Sequence, residues 1–459
     1  MEDINVSKEL KNDKSLFFNA LKKGNLITKL SFIIMGLGCI LRGQIVKGLI
    51  FLALQVSFIV YILNSGWYYL SNLPTLGKEV QRQVWNEELQ IYEYKPGDNS
   101  MLILLFGVVT IFAIGAIILM YVKSVKESYN CELIRKAGNR PPTFKDDVKN
   151  LFDKNFHKTL LTLPAIGIVL TVIMPLIFMI LMAFTNFDKT HQPPGKLFTW
   201  VGFENFKNLF FSNSKMSGTF VKILIWTFVW AVFATFSNYL LGMILALLIN
   251  KKGIKFKGFW RTIFVLTIAV PQFVTLLLMS RMFQDVGPIN ILLQKLGLTS
   301  QAIKFITDGT NAKIFVIIVN MWVGIPYTML ITSGILMNIP EDLYESAKID
   351  GAGPVTAFMK ITLPYMLFVT TPYLITQFVG NINNFNVIYL LTGGGPNSLN
   401  YFQAGETDLL VTWLYKLTVN EQNYSLASTI AIIIFVISAT LSLIAYNRSA
   451  SVQKEDTFQ

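Results

Sequence analysis

Two short runs of neutral polar residues stand inside stretches that are otherwise apolar enough to cross a membrane. In the first, Asn320, Trp322, Gly324 and Tyr327 fall at i, i+2, i+4 and i+7. The first, third and fourth share one helical face, with Pro326 beside them as a kink candidate. In the second, Gly380-Asn381-Ile382-Asn383-Asn384-Phe385-Asn386 sets four asparagines within six residues. A buried amide without a partner costs about 1–3 kcal/mol, so such a cluster needs neighbouring helices or a polar ligand. One reading is helix–helix glue. The other is a hydrated, uncharged cavity for hydroxyl-rich molecules such as sugars, where Asn supplies donors and acceptors and Tyr or Trp stacks on ring faces.

What is missing narrows the chemistry further. None of the predicted spans contains Asp or Glu, the groups that proton- and sodium-coupled carriers place at membrane depth, so secondary transport is disfavoured. The chain carries no Gly-x-x-x-x-Gly-Lys-Ser/Thr phosphate loop. Gly393-Gly394-Gly395-Pro396 is no substitute, because no Lys follows it; it reads as a turn capping a span. If transport is active, the energy must come from another subunit. Two histidines and no Cys/His cluster argue against a metal site, and no cofactor is expected in this chain.

The elements that must position these residues are membrane helices. The chain has 459 residues, 53% of them hydrophobic and 14% charged, which is an integral membrane composition. Spans are predicted at about 45–64, 101–122, 160–186, 219–249, 259–283, 313–338, 365–391 and 424–446. Residues 30–41 are too short to cross and read as interfacial or re-entrant, no cleavable signal follows them, and Trp67, Tyr68 and Tyr69 resemble an interfacial aromatic belt. Pro164, Pro175, Pro271 and Pro372 read as kinks. Alternate connections hold 25 Lys and Arg on one side and 10 on the other, which puts both termini and the stretch 339–364 in the cytoplasm. The same bias accounts for most of the +12 net charge, so no nucleic-acid partner is needed. It also puts Cys39 and Cys131 on the cytoplasmic side, where a structural disulfide is disfavoured.

Residues 339–364 are a polar interruption that reads as helix, turn, helix. Glu341 and Asp342 follow Pro340 at the first helix's N-terminus, where negative charge is favoured. Gly351 and Gly353 permit a sharp turn, Pro354 opens a second short helix, and Pro364 is expected to end it. A DNA-binding helix-turn-helix is the rival for this pattern; tethered between two spans, it is disfavoured.

Glu345-Ser346-Ala347, Gly351, Ile361 and Leu363-Pro364 stand at the spacing Glu-Ala-Ala-x3-Gly-x9-Ile-x-Leu-Pro. This resembles the EAA loop of ABC importer permeases, with Ser346 a small-for-small departure. The resemblance implies two short helices docking into a cleft of an ATPase subunit, with Glu345 pairing to a basic group and Gly351 forming the turn. Residues from about 158 to 446 resemble the MalF-type subunit of maltose and maltodextrin importers, carried by 182–186, 320–327, 350–354, Asn383-Asn384-Phe385 and 408–411. By that resemblance the sugar site would draw on Asn320, Val323, Gly324, Tyr327, Gly380, Asn381 and Asn384. Gly380 departs from the phenylalanine of the family's best-known members, which would remove a stacking surface and widen the pocket. The loop 187–218 is short where enterobacterial members carry a large external domain, a pattern similar to Gram-positive members.

The expected fold is an all-α integral membrane protein of about eight spans with type I permease architecture. Its expected organisation is a cytoplasmic tail with interfacial segment (1–44), a two-span region with a basic loop (45–157), a six-span permease core containing 339–364 (158–447) and a cytoplasmic tail (448–459). The resemblance implies a non-enzymatic maltodextrin permease in the cell membrane. Its implied partners are a smaller MalG-like permease, MalK-type ATPase subunits that bind ATP and Mg, an extracellular solute-binding protein, the oligosaccharide and membrane lipid. A permease for another sugar (raffinose, multiple sugars, glycerol phosphate) and a stand-alone carrier are the alternatives.

Overall fold

The computed structural model describes residues 13–448 except 213 and 252; the tails predicted at 1–12 and 449–459 lie outside the described residues. Among the described residues seven apolar helices are long enough to cross a bilayer, and a bent pair, α5, makes an eighth element where it counts as one span: α1 (Ile45–Asn72), α2 (Ser100–Lys136), α3 (Phe156–Met182), α4 (Lys215–Asn250), α5 (Lys257–Ala269 joined to Gln272–Met282), α6 (Gly309–Leu336), α7 (Pro354–Ile382) and α8 (Tyr424–Arg448). The chain is a multi-pass membrane protein. Contacts form two units, Met1–Trp200 and Val201–Gln459.

Local chemistry sets the helix starts. Asn99 accepts from the Met101 and Leu102 amides to open α2, and Asp308 accepts from the Asn311 amide to open α6. Each cap satisfies donors that the first helical turn leaves over. The kink expected at Pro271 is present and large, and two other predicted elements come out differently. The fifth span is not straight: it bends by 86° at Val270–Pro271, where Pro271 lacks the N–H that would continue the ladder. The seventh breaks at Asn383–Asn384, and a separate helix, Phe385–Thr392, follows. Pro364 does not end a helix, because α7 runs unbroken from Pro354 through it to Ile382. A wide π turn, Phe358–Thr362, ends two residues before this proline. The loosened turn absorbs the missing hydrogen bond and the ring clash. The same device, Val169–Ile173, precedes Pro175 in α3.

In the first unit, α2 runs past the predicted span and carries Glu127 and Glu132. Glu132 meets Arg42 at 3.3 Å, both nearly fully buried. Arg42 also donates to Ser128 Oγ and the Ser128 carbonyl (2.8 Å each), Asn25 Oδ1 and Thr28 Oγ1 (2.7 Å each), while Glu132 accepts from Lys136 at 2.7 Å. This network seats the predicted interfacial segment 30–41 against α2; it forms a turn and one short helix, Leu37–Ile40, directly after a five-residue helix, Leu26–Leu30. Cys39 and Cys131 are buried free thiols. The loop after α1 contains an antiparallel hairpin, Arg82–Asn86 with Ile91–Lys95.

In the second unit, α4 is the central helix. Gly242 lets it approach α6 so closely that a Cβ there would stand 2.7 Å from Thr328 Cβ, a small-residue contact common between membrane helices. Trp230 and Trp413 are fully buried, and the Trp230 indole donates to the Asn381 carbonyl at 3.1 Å. Gly393, in left-handed conformation, caps the Phe385–Thr392 helix, as its sequence predicts. Beyond it, Asp408 is fully buried against Lys416 Nζ at 2.6 Å. Burial pushes this carboxyl above its ordinary value, against the pull of Lys416.

Candidate functional site

The breaks in α5 and after α7 are what make room for a site. The bend at Pro271, the polar face of α6, the end of α7 and Asn238 on α4 together line a cavity of about 500 Å³. Asn320, Trp322, Val323, Gly324, Tyr327, Asn381 and Asn384 all line it. Both polar runs therefore meet at one place. Asn238, Gln272, Thr275 and Gln377, which belong to neither polar run, join them; nothing in the local sequence sets them apart from other polar residues of their spans. No charged side chain lines the cavity.

The amides in the cavity divide into two kinds. Asn381 donates to Thr235 Oγ1 at 3.0 Å and accepts from Asn384 Nδ2 at 3.2 Å, and Asn384 Oδ1 accepts from the Val387 amide at 3.2 Å. These two act as helix glue and helix cap, whatever else they do. Among the described residues, Asn238 Oδ1 and Asn320 Nδ2 are enclosed with no hydrogen-bond partner, one acceptor and one donor on two residues that both line the cavity. Gly324 is required by the first of them: a Cβ there would overlap the Asn238 amide. Tyr327 and Trp322 are about half exposed and present their rings. Gly380 is not among the lining residues; a Cβ on it would meet nothing within 4 Å.

At one end of this unit the 339–364 stretch forms Glu341–Ile349, a turn and the start of α7. Pro340 precedes the helix rather than opening it, and Gly351 takes φ +76, a left-handed conformation that favours glycine. The Tyr344 hydroxyl meets Thr362 Oγ1 at 2.9 Å and ties the hairpin's two arms together. Glu345, with Tyr344, Lys348 and Phe358, lines a recess of about 650 Å³. Ser346 and Pro364 are exposed, while Ala347, Ile361 and Leu363 are half-buried. Ile349 is 87% and Val355 76% exposed beside the turn, apolar side chains that nothing among the described residues covers.

Residues 238–451 match the family described as the inner membrane component of binding-protein-dependent transport systems. The chain is 37% identical to the maltodextrin transport system permease protein MalC of Streptococcus pneumoniae, over 92% of this chain and 96% of that one. It is 35% identical to the galactooligosaccharides transport system permease protein GanP of Bacillus subtilis, over 92% and 97%. In fold it is similar to a chain of a bacterial ABC transporter involved in alginate import, with TM-score 0.52 and 24% identity over 66% of this chain and 97% of that one. That likeness establishes the type I permease fold. Identity above one third across nearly the whole length makes the family plain: the chain belongs to the inner-membrane permease components of binding-protein-dependent ABC importers.

Proposed function

We propose that this permease carries neutral oligosaccharides of the maltodextrin class through the cavity between α4, α5, α6 and α7. The observation that carries the reading is the pair of unpartnered amide atoms, Asn238 Oδ1 and Asn320 Nδ2, in an uncharged space of about 500 Å³. A sugar hydroxyl both donates and accepts, so one ligand class satisfies both atoms and removes the desolvation cost of leaving them bare. Tyr327 and Trp322 supply ring surfaces for the apolar faces of the sugar. The absence of a cationic side chain in the lining speaks against glycerol phosphate and against acidic polysaccharides. Galacto-oligosaccharides are the second reading, favoured by the 35% identity to a permease named for them.

Energy would arrive through 339–364. The Lys and Arg bias supports a cytoplasmic position for this hairpin and for both termini, and the exposed Ile349 and Val355 offer an apolar seat for a partner. Two ATPase subunits holding ATP and Mg would dock there, with Glu345 facing a basic group. A smaller second permease would complete the pore, and an external binding protein would deliver the sugar. The near-full-length relatives from Streptococcus pneumoniae and Bacillus subtilis favour a Gram-positive cell. Closure of the ATPase dimer would turn the cavity outward, and hydrolysis would reset it.

The test is uptake by the reassembled complex in liposomes, comparing maltotriose with a galactotriose. ATP- and binding-protein-dependent uptake of maltotriose is expected. Preference for galactotriose would select the second reading, while uptake by this chain alone would overturn the importer.

A further inference from the structure

A second polar cavity, about 440 Å³ in volume, lies in the 393–421 segment, apart from the cavity described above. Its walls are the loop after the Phe385–Thr392 helix and the C-terminal end of the Leu410–Val419 helix, and Asn397, Tyr401, Gln403, Lys416, Asn420 and Glu421 supply its side chains. The loop is held in place from behind. The Phe402 amide donates to Thr219 Oγ1 at 2.7 Å, the Phe402 carbonyl accepts from the Trp413 indole at 3.1 Å, and Lys222 lies 5.2 Å from the Tyr401 ring centre.

Both charges in the wall are already engaged. Lys416 is bound to buried Asp408, and Glu421 accepts from Gln403 Nε2 at 2.6 Å. What remains open is neutral. Gln403 lines the cavity with its Oε1 enclosed and, among the described residues, without a hydrogen-bond partner, and it holds φ +51, a left-handed conformation unusual for a residue with a side chain. Backbone held in this region tends to mark a site that the surroundings over-determine. An unpaired amide acceptor, two asparagine amides and a tyrosine ring, fixed around a space of ligand size, repeat the chemistry of the deeper cavity.

We propose that this cavity is a second carbohydrate subsite, which holds a sugar unit of a longer oligosaccharide before or while another unit occupies the α4–α7 cavity. The inference rests on the reading of the chain as a neutral-sugar permease and on the Lys and Arg count, in which 393–422 belongs to the side opposite 339–364 and so is expected outside the cell. A site of this kind adds affinity only for ligands long enough to use it.

The experiment measures uptake by the full complex in liposomes for maltose and maltoheptaose, with Gln403→Gly and Asn420→Ala. Gln403→Gly suits the positive φ while removing the amide, and retained ATPase co-purification and melting temperature show that the variants fold. The expected result is an apparent KM for maltoheptaose raised about tenfold, the loss of one or two hydrogen bonds, with maltose unchanged. Unchanged KM for both sugars overturns the subsite. An equal rise for both, accompanied by a higher half-saturating concentration of the binding protein, assigns the cavity to protein docking and also overturns it. Wild-type complex that transports neither sugar is a failure of the functional reading, seen before any variant is made.

Discussion

Two buried polar clusters of this protein, one in each unit, solve opposite problems. Around Arg42 and Glu132 the first unit buries full charges, and among the described residues both guanidinium NH2 groups and both carboxylate oxygens have partners. Around Asn238 and Asn320 the second unit buries only neutral amides, yet leaves one atom of each unpaired. A buried charge without a counter-charge is costly in a low-dielectric interior, so the first cluster carries its own partners as folded. An amide can wait for a ligand at a tolerable cost. Complete and charged reads as structural; neutral and incomplete reads as ligand-facing.

The largest expected effect breaks the first cluster. Glu132→Ala leaves Arg42 buried without its carboxylate and should cost about 3–5 kcal/mol, read as a lowered melting temperature in detergent or as loss from the membrane. The more exposed Lys47–Glu127 pair is the control: Glu127→Ala should cost about 1 kcal/mol or less. Equal melting of the two variants would remove the contrast.

Next comes the hairpin. Glu345→Lys reverses charge on an exposed position, so membrane insertion and melting should match wild type while uptake falls at least about tenfold. Normal uptake with normal ATPase assembly would take the coupling role away from Glu345.

The cavity amides sharpen the comparison from within. Asn320→Ala removes an atom that has no partner, so its stability should stay within about 0.5 kcal/mol of wild type while the KM for sugar uptake rises about tenfold. Asn381→Ala severs bonds to Thr235 and Asn384 and should cost about 1–2 kcal/mol as well as uptake. If both variants behave alike, the division between glue and ligand-facing amides fails. Gly380→Phe is the mildest: the space around it is open, so melting should not change, and a shift of a few fold in apparent sugar affinity, the scale of one aromatic contact, would reveal whether the ring reaches the sugar.

Much of this was legible in the chain itself. Asn320, Gly324 and Tyr327 were assigned to one face by the 3.6-residue period, and that face does line the cavity. The helix ends were legible too: Gly351 and Gly393 stand where a left-handed residue is needed, and both take that conformation. Proline was the misleading signal. Pro271 bends its span while Pro364 passes through a helix, because a preceding π turn can absorb the fault, and nothing in local sequence announces such a turn.

The sequence by itself determined the membrane spans, the polar hairpin and the two neutral polar runs, since burial in lipid and helical period are properties of a segment read alone. It could not determine that Asn238, Gln272 and Gln377, polar residues of three different helices that lie outside those runs, complete the cavity with them. Nor could it tell a paired amide from a bare one. Those facts depend on how helices far apart in the chain approach one another, set by Gly324 beside Asn238 and Gly242 against Thr328. Only packing decides which polar atoms find partners inside the protein and which are left for a ligand.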